Sequence, residues 1–197
     1  GYEEGLKRGF ALLDQLELWP YLLGFVPPKE AKEAACRLPQ DADLRLAALL
    51  TDKSAEEIVD CLSHRGLRYS NKRVQKALDL VKGYRDSLAG RPLPLVAASA
   101  HLSEVTNGVS ALLTAYGHSD LADRLVLAEA TLLERKVPLT PSALPIDPQQ
   151  LKDMGVPDDK LGTTLRYLVQ EGVARMAPLH LKECLALAAR YKEKHLC

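Results

Sequence analysis

A run of basic residues between positions 64 and 76 is the strongest chemical feature of this chain. Its cations, which no acidic residue interrupts, are Arg65, Arg68, Lys72, Arg73 and Lys76. Several cations on one rigid element can neutralise a polyanion and release its counterions. The apolar residues Val74, Leu78 and Val81 recur at helical spacing. A helix that starts near Ser70 would therefore bury them and turn the last three cations to the solvent. The run predicts phosphate binding, and an ordinary solvated helix face is the alternative.

A second candidate for phosphate binding lies between residues 146 and 166. Gly155 can take the left-handed position that ends one helix, and Pro157 or Asp158 can open the next. Such a turn leaves backbone amides exposed at a helix start, where a phosphate can bind. However, Asp158 and Asp159 occupy the turn where the anion would lie. A plain helical hairpin with a leucine-rich core is the alternative interpretation.

An apolar stretch from Leu46 ends at Thr51 and Asp52 and resembles the metal-binding helix of HD-type phosphohydrolases. In those domains adjacent His and Asp side chains hold one divalent ion, whereas Thr51 stands here in place of the His. The five histidines of the chain are scattered without the spacing of metal ligands. Asp52 is therefore predicted to be an ordinary helix-terminal or loop carboxylate. Ser54 follows it as a predicted helix N-cap, with Glu57 completing a capping box.

The composition favours helices. Of the 197 residues, 47% are hydrophobic but only 5% are aromatic. Leu and Ala, which favour helices, are more frequent than the β-branched residues that strands prefer. A chain of this length can bury a substantial core in one extended or two small domains. We therefore expect an all-α fold, built as an elongated bundle of many helices.

Charge and cysteine content exclude several classes of protein. The 26 basic and 26 acidic residues give a formal net charge of zero, so nucleic-acid binding would need a local patch. The cysteines form no Cys-x-x-Cys pair, which argues against a zinc site and a disulfide scaffold and predicts a reducing cytoplasm. No run approaches the roughly 20 apolar residues that span a bilayer, so no membrane contact is expected. Because the chain starts at Gly1 within a helical pattern, we expect a fragment of a longer protein.

Helical periodicity recurs along the chain with short breaks. Proline marks the clearest interruptions, at Trp19-Pro20, at Pro92 and Pro94, and three times between residues 137 and 145. The breaks predict three units: an HD-like helical body over residues 1–90, a two-helix middle over 91–136, and a tail with a helix-turn-helix hairpin over 137–197. Helices are predicted over about residues 4–18, 28–37, 41–50, 54–64, 70–88, 98–116 and 119–135, then a helix-turn-helix over 146–177 and a terminal helix over 179–195.

The order and spacing of several segments resemble the carboxy-terminal part of bacterial tRNA nucleotidyltransferases, the CCA-adding enzymes related to poly(A) polymerase. Residues 16–24, with the sequence LELWPYLLG, look like the start of that family's body. Residues 45–52 look like its degenerate HD-like helix, and residues 67–73, LRYSNKR, like its L-R-x-S-N-K motif. Residues 146–173 are similar to the repeating glycine pattern of its tail. The resemblance covers most of the chain and implies a degenerate HD-like body followed by a helical tail.

This resemblance implies that different parts of the parent enzyme have different roles. In the family, an amino-terminal head holds two metals for nucleotidyl transfer, a neck selects CTP or ATP, and body and tail hold the tRNA. The chain contains no Gly-Ser motif with a following Asp-x-Asp, as the head would have, and no Glu-Asp-x-x-Arg motif of the neck. The resemblance therefore implies a non-catalytic fragment of a CTP/ATP:tRNA nucleotidyltransferase, without a catalytic, cofactor or metal site of its own. Magnesium is expected in the head, and the expected partners are tRNA and the protein's own amino-terminal catalytic head.

The implied RNA contacts are cations that would bind the backbone of an A-form acceptor stem and the TΨC corner by shape and phosphate position. They are Arg65, Arg68, Lys72, Arg73 and Lys76 in the body, and Lys152, Lys160, Arg166 and Arg175 in the tail. Two other functions stay open. A helical protein-interaction module would show an exposed apolar patch instead of a cationic groove. A residual HD phosphohydrolase would need a set of metal ligands.

Overall fold

The computed structural model describes residues 2–64 and 67–195, and every regular element in these ranges is helical. The helices are α1 (Tyr2–Gln15), α2 (Trp19–Leu22), α3 (Lys29–Arg37), α4 (Ala42–Leu49), α5 (Ala55–Val59), α6 (Asn71–Leu88), α7 (Leu93–Leu102), α8 (Thr106–Ala115), α9 (Ser119–Glu134), α10 (Pro148–Asp153), α11 (Leu161–Ala174) and α12 (Leu181–His195). A π-helical segment, Asp60–His64, continues α5, and 3₁₀ turns Pro141–Ala143 and Asp158–Lys160 precede α10 and α11. The all-α fold class is confirmed.

Local signals in the sequence explain where several helices begin. Pro28 precedes α3, which ends as predicted at Arg37. Ser54 Oγ accepts from Glu57 N at 3.2 Å, and Glu57 Oε2 accepts from Ser54 N at 2.7 Å, which is the predicted capping box of α5. Gly155 takes the predicted left-handed conformation with a φ of 79°. The helix-turn-helix and the terminal helix of the tail are likewise confirmed.

The prediction of one helix from Ala98 to Tyr116, and hence of a two-helix middle segment, is wrong. Pro92 precedes α7, which starts at Leu93, and a turn separates α7 from α8. Glu104 reverses the chain in this turn with a φ of 57°, although it is not a glycine. The turn closes with hydrogen bonds from the N–H groups of residues 104 and 105 to carbonyls of α7. Neither Gly nor Pro marks this break in the sequence.

The hydrophobic core does not divide at residue 90. One cluster of buried side chains runs from Trp19 to Val137 and also includes Val173 of α11. A second, smaller cluster joins buried residues between Leu144 and Ala188. Val169 packs against both clusters, and α11 contacts α7, so the tail lies against the larger core.

A close approach of α6 to α8 fixes the position of the basic helix. Gly83 of α6 is buried, and a Cβ at this residue would lie 2.6 Å from Cγ2 of Val109 on α8. Val109 is itself fully buried, so it cannot move aside easily. The α6 helix also contacts α4 and α7. Its amino-terminal half lines one cleft together with Asp43 of α4 and residues 103–105 of the turn that joins α7 to α8.

Candidate nucleic-acid interface

The start of α6 presents positive charge at an open helix end. Ser70 precedes the helix with an extended backbone, and its side chain makes no capping hydrogen bond. The first turn of α6 contains no acidic residue, so no carboxylate of the helix itself offsets the positive end of its dipole. Arg68 and Lys72 lie beside this end with exposed side chains. A phosphate here would meet two cations and the N–H groups of the first helical turn.

Arg73 is half-buried between two other side chains. Its Nε donates to Asp43 Oδ1 at 2.8 Å, and its Nη2 donates to the same oxygen. Its guanidinium carbon lies 3.7 Å from the centroid of the Tyr69 ring. The hydrogen bonds to Asp43 raise the pKa of Arg73 above its ordinary value. Arg73 is therefore partly exposed, as a solvent-facing cation would be, but a carboxylate of α4 binds it.

Lys76 is shared between two carboxylates. Its Nζ lies 3.6 Å from Asp43 Oδ2 and 3.9 Å from Asp41 Oδ2. Asp41 also caps α4, since its Oδ1 accepts hydrogen bonds from the N–H groups of residues 43 and 44. Of the last three cations of the basic run, Lys72 is the one that has no ion pair within the part of the chain that the structure describes.

These cations line an open cleft, called here the α6 cleft, with a volume of about 550 Å³. Its lining residues are Asp43, Lys72, Arg73, Gln75, Lys76, Asp79, Ser103, Glu104 and Val105. The structure thus brings together three of the five predicted body contacts. Arg68 lies outside the lining, near the same end of α6, and Arg65 lies outside the described residues.

Three acidic residues of the α6 cleft, Asp43, Asp79 and Glu104, were not among the predicted site residues. Asp79 follows Lys72 and Lys76 at helical spacing, so the sequence carried a signal that these side chains share one face of α6. Glu104 carried no such signal, because it enters the cleft through the unpredicted turn between α7 and α8. The cleft is therefore of mixed charge rather than purely cationic.

Two of the predicted tail contacts are bound to neighbouring acids. Lys152 Nζ lies 3.0 Å from Asp158 Oδ1, and Lys160 Nζ lies 3.4 Å from Asp159 Oδ2. Both aspartates belong to the turn before α11. They lie where an anion bound to this turn would have to lie, so the turn is a weaker phosphate site than the start of α6.

The other two predicted tail contacts are Arg166 on α11 and Arg175 at its carboxy-terminal end. Arg175, directly after that helix, pairs with Glu171 at 3.0 Å. Arg166 approaches only the Thr163 hydroxyl, at 3.5 Å, and no acid pairs with it among the described residues. Of the four predicted tail contacts, Arg166 is therefore the one most available to a ligand.

A further basic residue of the tail was missed from the sequence. Lys192 of α12 donates from Nζ to the carbonyl of Met154 at 2.9 Å, and a Cβ at Gly155 would lie 2.8 Å from that Nζ. This contact holds α12 against the turn after α10. A separation of 38 residues between donor and acceptor left no local signal for it.

The position that resembles a metal-ligating His has a structural role. Thr51 Oγ1 lies 2.8 Å from the Tyr116 hydroxyl, and this hydroxyl donates to the carbonyl of Ala48 at 2.7 Å. Arg85 of α6 donates from Nε to the Thr51 carbonyl at 2.7 Å. Asp52 is exposed in the turn after α4 and pairs with Lys53 at 3.3 Å. Within residues 2–64 and 67–195, no three His, Cys, Asp or Glu side chains are grouped so that they could hold a metal ion.

Two further observations bear on the kind of protein this is. No helix in the described ranges is both long enough and apolar enough to cross a membrane. Comparison of the chain with protein-family models, with curated proteins and with solved structures finds no match.

Proposed function

We propose that this chain is the tRNA-binding body and tail of a tRNA nucleotidyltransferase that adds all or part of CCA to tRNA 3′ ends. Its partners are then tRNA and its own catalytic head, which would supply the magnesium site. The observation that carries the proposal is the start of α6, where Arg68 and Lys72 are exposed beside an uncapped helix end. The proposal has independent support from the order along the chain of the segments that resemble this family.

A phosphate binds most tightly where several weak contacts act on it together. At the start of α6 these are two exposed cations, the N–H groups of the first turn and the positive end of the dipole of an 18-residue helix. The zero net charge of the chain does not oppose this, because phosphate contacts depend on the local field. Such contacts depend on the position of the backbone and not on the base sequence. A protein that must bind all tRNAs requires contacts of this kind.

The ion pairs divide the predicted cations into two groups. Arg73 and Lys76 are partly neutralised by Asp43 and Asp41, so each contributes less to phosphate binding than an unpaired cation. Lys72 and Arg68 have no such partner among the described residues. We therefore assign the main phosphate contacts to Lys72 and Arg68.

A salt titration of tRNA binding tests the proposal. Replacement of both Arg68 and Lys72 by Ala should flatten the dependence of log affinity on log salt concentration by about 1.4 to 1.8, at about 0.7 to 0.9 for each lost contact. The preference among different tRNA sequences should change little. Affinity is measured by fluorescence anisotropy of labelled tRNA at several salt concentrations, with the melting temperature of each variant as the check on folding.

The matched control removes two positive charges elsewhere. Arg124 on α9 and Lys182 on α12 are exposed, and neither has an ion pair among the described residues. The Arg124→Ala and Lys182→Ala double variant changes the net charge by the same amount and should keep the wild-type slope. If the two double variants have the same slope, or if the wild type binds tRNA without salt dependence, the proposal fails.

A helical protein-interaction module is the second candidate, and one observation favours it. Large apolar side chains are exposed in the segment that contains α1 and α2, with Tyr21 79% and Val26 59% exposed. Leu12 of α1 and Leu16, directly after this helix, are also exposed and lie one helical turn apart. Exposed apolar clusters are common at protein interfaces. The same titration separates the two functions, because a module of this kind would not bind tRNA in a salt-dependent manner.

A further inference from the structure

The α6 cleft contains two carboxylates, Asp79 and Glu104, that have no ion pair with any described residue. Asp79 projects from α6, and Glu104 projects from the turn between α7 and α8. No Lys, Arg or His of the described chain lies within ion-pair distance of either one. Gln75 donates from Nε2 to Asp79 Oδ1 at 3.1 Å, which orients this carboxylate without neutralising it.

This acidic side would weaken a site that bound phosphate alone. An unpaired carboxylate in the same cleft as Lys72 repels a phosphate that the lysine attracts. The arrangement favours a ligand that carries hydrogen-bond donors next to its negative charge. The backbone of RNA has this chemistry, because each phosphate is followed by a ribose whose 2′-hydroxyl can donate. Acidic side chains bind ribose hydroxyls in dinucleotide sites, and contacts to the 2′-hydroxyl let a protein distinguish RNA from DNA.

We infer that the α6 cleft selects ribose over deoxyribose, with Asp79 and Glu104 accepting hydrogen bonds from 2′-hydroxyls while Lys72 binds an adjacent phosphate. This inference rests on the proposed function and adds a specificity to the same site. The cleft volume of about 550 Å³ is in the range of sites that hold small ligands, so a short piece of backbone can enter it. Base identity has no part in this selection.

The test compares two hairpins of one sequence, one with ordinary ribose and one with 2′-fluoro sugars throughout. The 2′-fluoro sugar keeps the A-form pucker but carries no donor, so the shape of the backbone is retained. The wild type should bind the ribose hairpin about tenfold more tightly, as the loss of a hydrogen bond to a charged group predicts. In the Asp79→Ala and Glu104→Gly double variant the ratio should fall below about twofold by the same reasoning. Glycine is chosen because Glu104 has a φ of 57°.

The control variant removes two acidic charges outside the cleft. Asp123 and Glu134 are exposed on α9, and the Asp123→Ala and Glu134→Ala double variant should bind both hairpins more tightly with an unchanged ratio. Equal binding of the two hairpins by the wild type, together with the expected loss of salt dependence in the Arg68 and Lys72 variant, would overturn ribose selection and leave the proposed function standing. Absence of binding to either hairpin would overturn both.

Discussion

Arg73 of α6 donates two hydrogen bonds to a single carboxylate oxygen of Asp43 on α4. The adjacent cation, Lys72, is exposed and has no ion pair among the described residues. Neighbouring cations of one basic run therefore have different roles. Arg73 joins two helices, whereas Lys72 is available to a ligand. Replacement of Arg73 should therefore affect mainly the stability of the fold, and replacement of Lys72 should affect mainly ligand binding.

The first prediction concerns stability. The Arg73→Ala variant should lower the free energy of unfolding by about 1 to 2 kcal/mol, because it removes the hydrogen bonds to Asp43 and the contact of the guanidinium with the Tyr69 ring. The ion pair is partly exposed, which limits the electrostatic contribution. Urea denaturation followed by circular dichroism gives the measurement.

Lys72→Ala is the matched control for this prediction. Its side chain is exposed, so the free energy of unfolding should change by no more than about 0.5 kcal/mol. Arg73→Lys should give an intermediate loss, since lysine cannot reproduce the two parallel N–H groups of the guanidinium. Equal losses in the Arg73→Ala and Lys72→Ala variants would show that the Asp43 contact contributes nothing measurable.

The second prediction uses Trp19, the single tryptophan, as a reporter of Asp14. Trp19 Nε1 donates to Asp14 Oδ1 at 2.8 Å, and the hydrogen bond from Lys32 is the main cause of a lowered Asp14 pKa. A carboxyl whose pKa is lowered on folding stabilises the native state above its unfolded pKa, and this contribution is lost as pH falls through the folded pKa. Trp19 fluorescence should therefore change in acid with a midpoint below 3.8.

Two variants test the assignment of that midpoint. Asp14→Asn should remove the acid transition of Trp19 fluorescence, because the titrating group is gone. Lys32→Met should move the midpoint upward, because the main cause of the lowered pKa is lost. A transition that is the same in all three proteins would assign it to general acid unfolding instead.

The third prediction concerns alkaline stability. Burial is the main cause that raises the pKa of Tyr84 to about 12, and the nearby Tyr116 ring, with its centroid 5.0 Å away, adds to it. An acid whose pKa is raised on folding stabilises the native state fully below its unfolded pKa of about 10, and this contribution is lost as pH rises toward the folded value. The melting temperature should therefore fall between pH 10 and pH 12.

Tyr84→Phe should reduce this alkaline fall in melting temperature, while Tyr21→Phe, at an exposed position, serves as the control. Ultraviolet absorbance titration of the tyrosines provides the second measurement. Tyr84 should ionise at the highest pH, near 12, and this last step should be missing from the titration of the Tyr84→Phe variant. An unchanged titration curve in that variant would contradict the assignment.

Short-range signals let the sequence predict most helices. The Ser54 and Glu57 capping box and the left-handed Gly155 both depend on residues within one helical turn, and both are present as predicted. The break between α7 and α8 was missed because Glu104 takes a left-handed conformation that usually requires glycine. Its stabilising contacts are turn hydrogen bonds and packing, which leave no mark in residue type.

Less of the candidate site than of the fold could be predicted from the sequence, because part of the site depends on contacts between residues far apart in the chain. The spacing of Lys72 and Lys76 showed that they share a face of α6. The neutralisation of Arg73 by Asp43 spans 30 residues, so only the packing of α4 against α6 reveals it. The division of the basic run into structural and available cations is therefore a property of tertiary structure.

The last prediction concerns the tail. Arg166 has no acidic partner among the described residues, whereas Lys152 lies 3.0 Å from Asp158. If the tail contacts tRNA, Arg166→Ala should flatten the salt dependence by about 0.7 to 0.9, and Lys152→Ala should flatten it less because Asp158 already offsets that charge. Asp158→Ala should tighten binding, because it releases Lys152 and removes a negative charge. Slopes that equal the wild-type value in all three variants would limit phosphate binding to the start of α6.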